Sequence, residues 1–379
     1  MTLDSDNRYW HGYTNLQHVK HALIKEYLGG WFPKLGSWSG RIIYFDTHAG
    51  RGRHEEGQAG SPLIALTTFL GHSYRDQILR VSEARFVFVE RAADNVGALR
   101  AEIDAVRPLP ERVFVSVTSG NAFEHLGELL GNLESGRSRM APAFVFVDPY
   151  GFKLPADILR RLLAAGRVEL FVNVIWRELD MAMAQAHSQE SGGMVETLNS
   201  VFDGDEWRTR IARDASLDQR ADQAVDLFRE KYGARWATTV RMLASNEQTR
   251  YMLVHFTNHE AGRDLMKDAI WKVCGDGGFQ ARRSDNPNQT MLIVPKPDLA
   301  PLEDWALSAL AYGPLRWSEL TARVRVELWR NTHLNDVIRG LRQSGRIVAL
   351  DFEGRFSEKA DPLLSLPQRG SDAAGSPES

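Results

Sequence analysis

Cysteine is nearly absent: Cys274 is the single one in 379 residues. One thiol cannot form an internal disulfide and excludes a cysteine-rich metal site, which fits a reducing compartment. An excess of either charge is also missing. Lys and Arg number 46 against 49 Asp and Glu, a net charge of -3. The chain as a whole is therefore no polybasic nucleic-acid binder, although a local patch still can be. No apolar run approaches the roughly 20 residues that span a bilayer. The leading Met1-Thr-Leu-Asp-Ser-Asp lacks the apolar core of a signal peptide. The histidines show no metal-ligand spacing, so no metal is assigned. Together these absences predict a soluble, cytoplasmic protein with no membrane partner.

What is present is an ordinary apolar fraction of 43% on a chain long enough for two domains. Leu16, Val19, Leu23, Ile24, Tyr27, Leu28, Trp31 and Phe32 form a helix stripe over 14–33. Strands are expected at Arg41–Phe45, Arg85–Glu90, Val113–Val117, 143–147 and Val168–Ile175. Helices are expected between them at about 61–69, 92–105, 122–134 and 155–165, with Ser61 as N-cap and Pro62 opening the first. Alternation of this kind predicts an α/β, doubly wound parallel sheet. Residues 178–235 read as polar, helical and strand-free, an insertion covering the site and extending to about 245. Tyr251–Phe256, a helix at 260–273 and Thr290–Val294 complete the expected sheet, in the manner of the methyltransferase sheet, whose last strand is a hairpin partner. The first domain is thus placed at 1–297.

Two strands end in unusual loops. The first runs Tyr44-Phe-Asp46-Thr-His-Ala49-Gly50-Arg51-Gly52-Arg53. Ala49, Gly50 and Gly52 remove side chains where backbone must approach a ligand. A dinucleotide loop would need a third glycine, and here Gly52 is followed by Arg-His-Glu. The next strand-end acid, Glu90, also lies far beyond the ~20-residue spacing of that motif. The remaining reading is a site for S-adenosyl-L-methionine (SAM), with Asp46 at its amino-acid end. Glu90 would take the ribose, and Asn121 with Ala122 would hold the adenine edge. Each has a plainer alternative: a tight turn, a solvated cap, and a helix N-cap. Their order along successive strand ends favours the ligand.

The second loop is Asp148-Pro149-Tyr150-Gly151. It resembles the Asp/Asn-Pro-aromatic loop of amino-group methyltransferases. An exocyclic amine on a ring is a poor nucleophile. An Asp148 oxygen and the Pro149 carbonyl can accept its hydrogens and aim its lone pair, while Tyr150 stacks on the ring. An ordinary turn is the competing reading, since these residue types favour turns. Arg51, Arg53 and Arg177 are candidates for an anionic group on the substrate. His18, Lys20 and His21 lie on the first helix, where a lid would be.

These stretches, with Tyr27-Leu-Gly-Gly-Trp31, Gly60-Ser-Pro-Leu-Ile-Ala-Leu66 and Met266-Lys-Asp-Ala-Ile-Trp271, resemble the three-Cys-motif partner protein family (TcmP) over roughly residues 10–295. The chain departs from the family's loop at His48 and Arg51. The resemblance implies a Rossmann-like class I methyltransferase fold, SAM as cofactor, and a partner protein carrying a three-cysteine motif. It also implies a C-terminal winged helix. Pro295, Pro297 and Pro301 mark a linker. Beyond it, helical patterns near 302–312, 317–325 and 332–344 precede a hairpin of Arg346–Leu350 and Arg355-Phe356. This predicts a winged-helix domain at 298–360 and a disordered tail at 361–379. His333, Asn335, Arg339 and Arg342 would face nucleic acid, although charges over 302–356 nearly balance. The expectation is transfer of a methyl group to an exocyclic amine of a nucleobase or nucleoside-like molecule. An oxygen or carboxylate acceptor, a cofactor-sensing nucleic-acid-binding regulator and a non-catalytic scaffold stay open.

Overall fold

The computed structural model describes residues 14–136, 140–274, 280–282, 297–351 and 360–367. The chain divides into two compact units, Met1–Ile293 and Val294–Ser379.

In the first unit, helix α1 (Asn15–Gly36) starts at a Thr14–Gln17 capping box and leads into β1 (Arg41–Asp46). There follow α2 (Ser61–Leu70), α3 (Arg75–Val81), β2 (Glu83–Glu90), α4 (Ala93–Ala105), β3 (Val113–Ser119) and α5 (Ala122–Glu134). Then come β4 (Ala143–Val147), α6 (Ala156–Ala164), β5 (Val168–Val174), α7 (Trp176–Ala186), α8 (Gly193–Phe202), α9 (Trp207–Arg210) and α10 (Leu217–Lys231). The unit closes with β6 (Trp236–Leu243), β7 (Thr249–Thr257), α11 (Glu260–Val273) and β8 (Gln280–Arg282).

Among the described residues the strands form one sheet in the order β3-β2-β1-β4-β5-β7-β6-β8. β1 to β5 are mutually parallel. β7 inserts antiparallel between β5 and β6. Both faces are covered, so the central strands are continuously apolar rather than alternating. Phe144 and Phe146 pack on one face with α1, α2, α4 and α11. Val145 and Val147 pack on the other with α5, α6, α7, α8 and α10.

Two expectations about the helical insertion fail. Residues 236–243 are strand, not the end of a helical insertion, because β6 pairs with β7 along its length. The helices before it are no mere cover over a site. Trp176, Leu179, Leu198, Phe202, Trp207 and Phe228 are fully buried in the sheet's core. The expected strand at Thr290–Val294 lies outside the described residues.

Helix α1 is tied to the sheet by a buried polar knot. Tyr27 donates its hydroxyl to the Glu169 carboxylate of β5, and His255 of β7 lies 3.0 Å from the same oxygen. Burial, reinforced by the Glu169 charge, holds the Tyr27 phenol well above its ordinary pKa and therefore neutral.

The second unit holds α12 (Ala300–Ala311), β9 (Leu315–Arg316), α13 (Trp317–Val326), α14 (Asn331–Gln343), β10 (Val348–Ala349) and β11 (Leu363–Ser365). Its sheet order is β10-β11-β9, both pairings antiparallel, over a core of Leu302, Leu320, Leu334, Ile338 and Leu364. The return strand is therefore Leu363–Ser365, inside the stretch expected to be tail. The expected strand at Arg355-Phe356 lies outside the described residues. β11 qualifies because Leu364 fills the core while its neighbours pair on both sides.

Tyr27→Phe keeps the ring but removes one donor to a buried carboxylate. Urea unfolding is expected to show a loss of about 1–3 kcal/mol, with the strand content unchanged by circular dichroism.

Candidate active site

Parallel strands bring their carboxyl ends to one edge, which is where this sheet type binds ligands. Asp46 ends β1 and is fully buried. Its Oδ2 accepts from the Tyr44 hydroxyl at 3.2 Å, and its Oδ1 from the His48 amide at 3.3 Å. Burial raises its carboxyl to about 7, and the nearby Asp148 charge pushes the same way. Hydrogen bonds from Ser61, the His48 amide and Tyr44 pull it back down. Ser61 is thus turned toward Asp46. The expectation that it caps α2 is wrong: Gly60 is the N-cap, and Ser61 is already helical.

The chain then turns through Gly50 (φ +61°) and Gly52 (φ +85°), left-handed conformations that favour glycine. A Cβ on Gly52 would also meet the Leu99 side chain at 2.9 Å. The Gly50 amide donates to Glu90 Oε2 at 2.8 Å, and the Ala92 amide donates to Oε1 at 2.8 Å. The Ala49 amide donates to the Val89 carbonyl at 2.9 Å. Glu90, at the end of β2, therefore pins the glycine loop, and each of its oxygens takes one of these backbone donors. A carboxylate offers about four lone-pair sites, so capacity for further donors remains on both oxygens.

Asn121 stands at the end of β3 as the N-cap of α5. Its Oδ1 accepts the Phe123 amide at 3.0 Å and its amide donates to Glu124 at 3.1 Å. The plainer reading of this side chain is the one its bonds express. Ala122 beside it is buried.

At the end of β4, Asp148 receives two strong donors. Lys20 Nζ of α1 lies 2.6 Å from Oδ2, and Asn173 Nδ2 of β5 lies 2.6 Å from Oδ1. Pro149 is buried, Tyr150 is 52% exposed, and Gly151 turns the chain at φ +85°. Among the basic candidates, Arg53 pairs with Glu102 at 3.0 Å and Arg51 approaches Glu55 at 3.7 Å. The first pair ties the glycine loop to α4, and the second lies within the loop. Arg177 is exposed at the start of α7.

Sequence reasoning places Lys20 only on a lid helix, not on Asp148, and does not single out Asn173. A signal existed for each. Lys20 interrupts the apolar series Leu16, Ile24, Leu28 at helical spacing, and it is as buried as they are. Asn173 interrupts the apolar run of β5. The same helix reaches the first loop, where the His21 and His54 rings stand 5.9 Å apart. Burial lowers both imidazoles, His54 to about 4, with the Lys20 charge acting in the same direction, so they are neutral at pH 7. Among the described residues no group of acidic, histidine and cysteine side chains is arranged to hold a metal.

Neither family models nor curated proteins match this chain. Among solved structures, one from Legionella pneumophila described by family model DUF519 aligns at 12% identity and TM-score 0.36, over 65% of this chain and 86% of that one. A putative methyltransferase from Porphyromonas gingivalis aligns at 12% and 0.27, over 61% of this chain and 40% of that one. The S-adenosylhomocysteine-bound Podospora anserina methyltransferase PaMTH1 aligns at 12% and 0.26, over 68% and 97%. These likenesses are slight, and the reading of the site stands instead on strand order and side chains.

Gly52→Ala places a side chain in a left-handed turn against Leu99. A destabilisation of about 1–3 kcal/mol is expected in chemical denaturation. Gly57→Ala in the same loop, also at positive φ but with open space around it, is expected to cost less.

Proposed function

We propose that the chain is a SAM-dependent methyltransferase whose first unit has the class I methyltransferase fold. The observation that carries this is the strand order. Five parallel strands run outward in both directions from β1, and a seventh strand inserts antiparallel between the fifth and sixth. This is the sheet of that enzyme class. Polar residues stand at the carboxyl ends of β1, β2, β3 and β4, in the places such a cofactor needs them.

The residues present fit the group. Asp46 would hold the cofactor's ammonium, and the glycine turn at Ala49, Gly50 and Gly52 would let backbone lie against it. Glu90 keeps lone pairs that two ribose hydroxyls would use, and Asn121 and Ala122 would border the adenine. When bound, SAM would supply a methyl group activated by a positively charged sulfur. Asp148 and the Pro149 carbonyl would orient an acceptor amine, and Asp148 would accept the proton that the nitrogen sheds. Tyr150, half exposed, stacks on the flat ring bearing the amine, which makes a nucleobase or nucleoside-like acceptor the favoured class. Arg177 is free of ion pairs among the described residues and suits an anionic group on that acceptor.

The second unit follows the helix–strand–helix–helix–strand–strand order of a winged helix, and we assign it that fold. Its third helix is poorly equipped to read bases. His333 is buried beside Trp329 and Arg330, and Arg339 is drawn to Asp336. A docking role, for a partner protein such as one with a three-cysteine motif, fits better than base readout.

Calorimetry with SAM and S-adenosylhomocysteine tests the reading; absence of heat at millimolar ligand would sink it. The Asp46 carboxyl, raised to about 7 by burial, must lose its proton to hold the cofactor's ammonium. Affinity is therefore expected to climb as pH rises from 6 to 8, and Asp46→Asn to flatten that slope. Tyr150→Ala, on an exposed side chain, is expected to leave cofactor affinity and stability unchanged. Transfer of labelled methyl to nucleoside or nucleic-acid acceptors should fall by the ~1–3 kcal/mol of a lost stacking contact, about 5- to 150-fold.

A further inference from the structure

Lys20 is 3% exposed, and a lysine in such a place is normally replaced by an apolar side chain of similar length, because stripping water from an ammonium is costly. Its helix offers an apolar stripe that such a side chain would join. Asp148, with 15% of its side chain exposed, sits at the strand ends. The ion pair is thus expensive on the lysine's side. Its location is the remaining clue: it joins the first helix to the loop that carries the chemistry.

The groups around it sharpen the point. Asp148 faces a second carboxyl, Asp46, together with Tyr44 and His48 of the first loop. Lys20 faces the neutral imidazoles of His21 and His54, with His18 nearby on its own helix. The Glu90 charge also reaches His48. A carboxylate near enough for its charge to act on Asp46 gains from a countercharge, and Lys20 brings one within 2.6 Å. Asn173 completes the arrangement: it donates to the other Asp148 oxygen, while its own Oδ1 is buried with no partner among the described residues. Orphaned buried acceptors are rare and call for a donor, and this one stands beside the carboxylate that is to meet a substrate's hydrogens.

We propose that Lys20 is a positioning residue for the reaction. Reaching from α1, it supplies the countercharge to Asp148 and, with Asn173, fixes which lone pairs that carboxylate presents to an incoming amine. This rests on the methyltransferase reading given above and adds to it a residue that acts through Asp148. It also gives α1 a task beyond packing, since displacement of the helix would take that countercharge away and free Asp148 to rotate.

The test is a carbon-13 titration of protein labelled at the aspartate carboxyls, with the Asp148 signal identified by its loss in Asp148→Asn. Lys20→Met is expected to move the Asp148 midpoint upward from the wild-type position by about 1–3 pH units, the effect of losing an opposite charge at contact. Lys20→Arg is expected to restore it. Lys20→Gln keeps a hydrogen-bond donor without the charge, should move the midpoint as Lys20→Met does, and carries the test if the methionine variant does not fold. An Asp148 midpoint unchanged in the neutral variants, in folded protein, overturns the proposal. SAM calorimetry on the wild type separates the two claims. A protein that takes up neither SAM nor S-adenosylhomocysteine sinks the methyltransferase reading, while the titration still decides whether Lys20 governs Asp148.

Discussion

Five parallel strands can pair side by side only if every connection crosses back over a face of the sheet. That constraint determines most of what is seen in this protein. It obliges helices to cover both faces, and so makes the strands apolar on both sides. It also gathers the carboxyl ends of β1, β2, β4 and β5 along one edge. Asp46, Glu90, Asp148 and Asn173 are far apart in the chain and adjacent in space for this reason alone. The antiparallel hairpin of β6 and β7 extends the sheet past β5, with β7 reversed and β6 again running in the direction of β1 to β5.

The edge is electrostatically crowded. Two carboxyls, Asp46 and Asp148, stand close enough for the charge of one to raise the pKa of the other. The protein handles them differently. Asp46 is buried among hydroxyl and amide donors and is pushed to about 7. Asp148 is met by an ammonium and an amide, each at 2.6 Å. One carboxyl is thus left without a cationic partner, and the other already has one. Helix α1 is central to both arrangements. It brings Lys20 to the second loop and His21 to the first, and it is locked to the sheet's body through Tyr27 and Glu169.

Much of this was legible beforehand where the signal is local. The strand at 143–147 and the helix at 122–134 coincide with β4 and α5, since an apolar run and an amphipathic stripe with an N-cap are read directly from neighbouring residues. Short or mixed segments were not. α3 shows no stripe, because only Ile78 is buried in it. β6 reads as the end of a helical insertion because Thr238, Thr239 and Arg241 dilute its apolar pattern; pairing with β7 decides its form. β11 reads as tail because three residues are too few to show a period.

The amino-acid sequence by itself determined the alternation of strands and helices, the glycine turn after Asp46, and the placing of an acid or amide at each strand end. These are properties of residues a few positions apart, set by sterics and hydrophobic period. Only the tertiary structure decided that Lys20 and Asn173 meet on Asp148, that Glu90 pins the glycine loop through the amides of Gly50 and Ala92, and that Asn121 spends its side chain on its own helix. Those outcomes depend on which chain segments the sheet order makes neighbours, and on the need of each buried charge or amide to find a partner there.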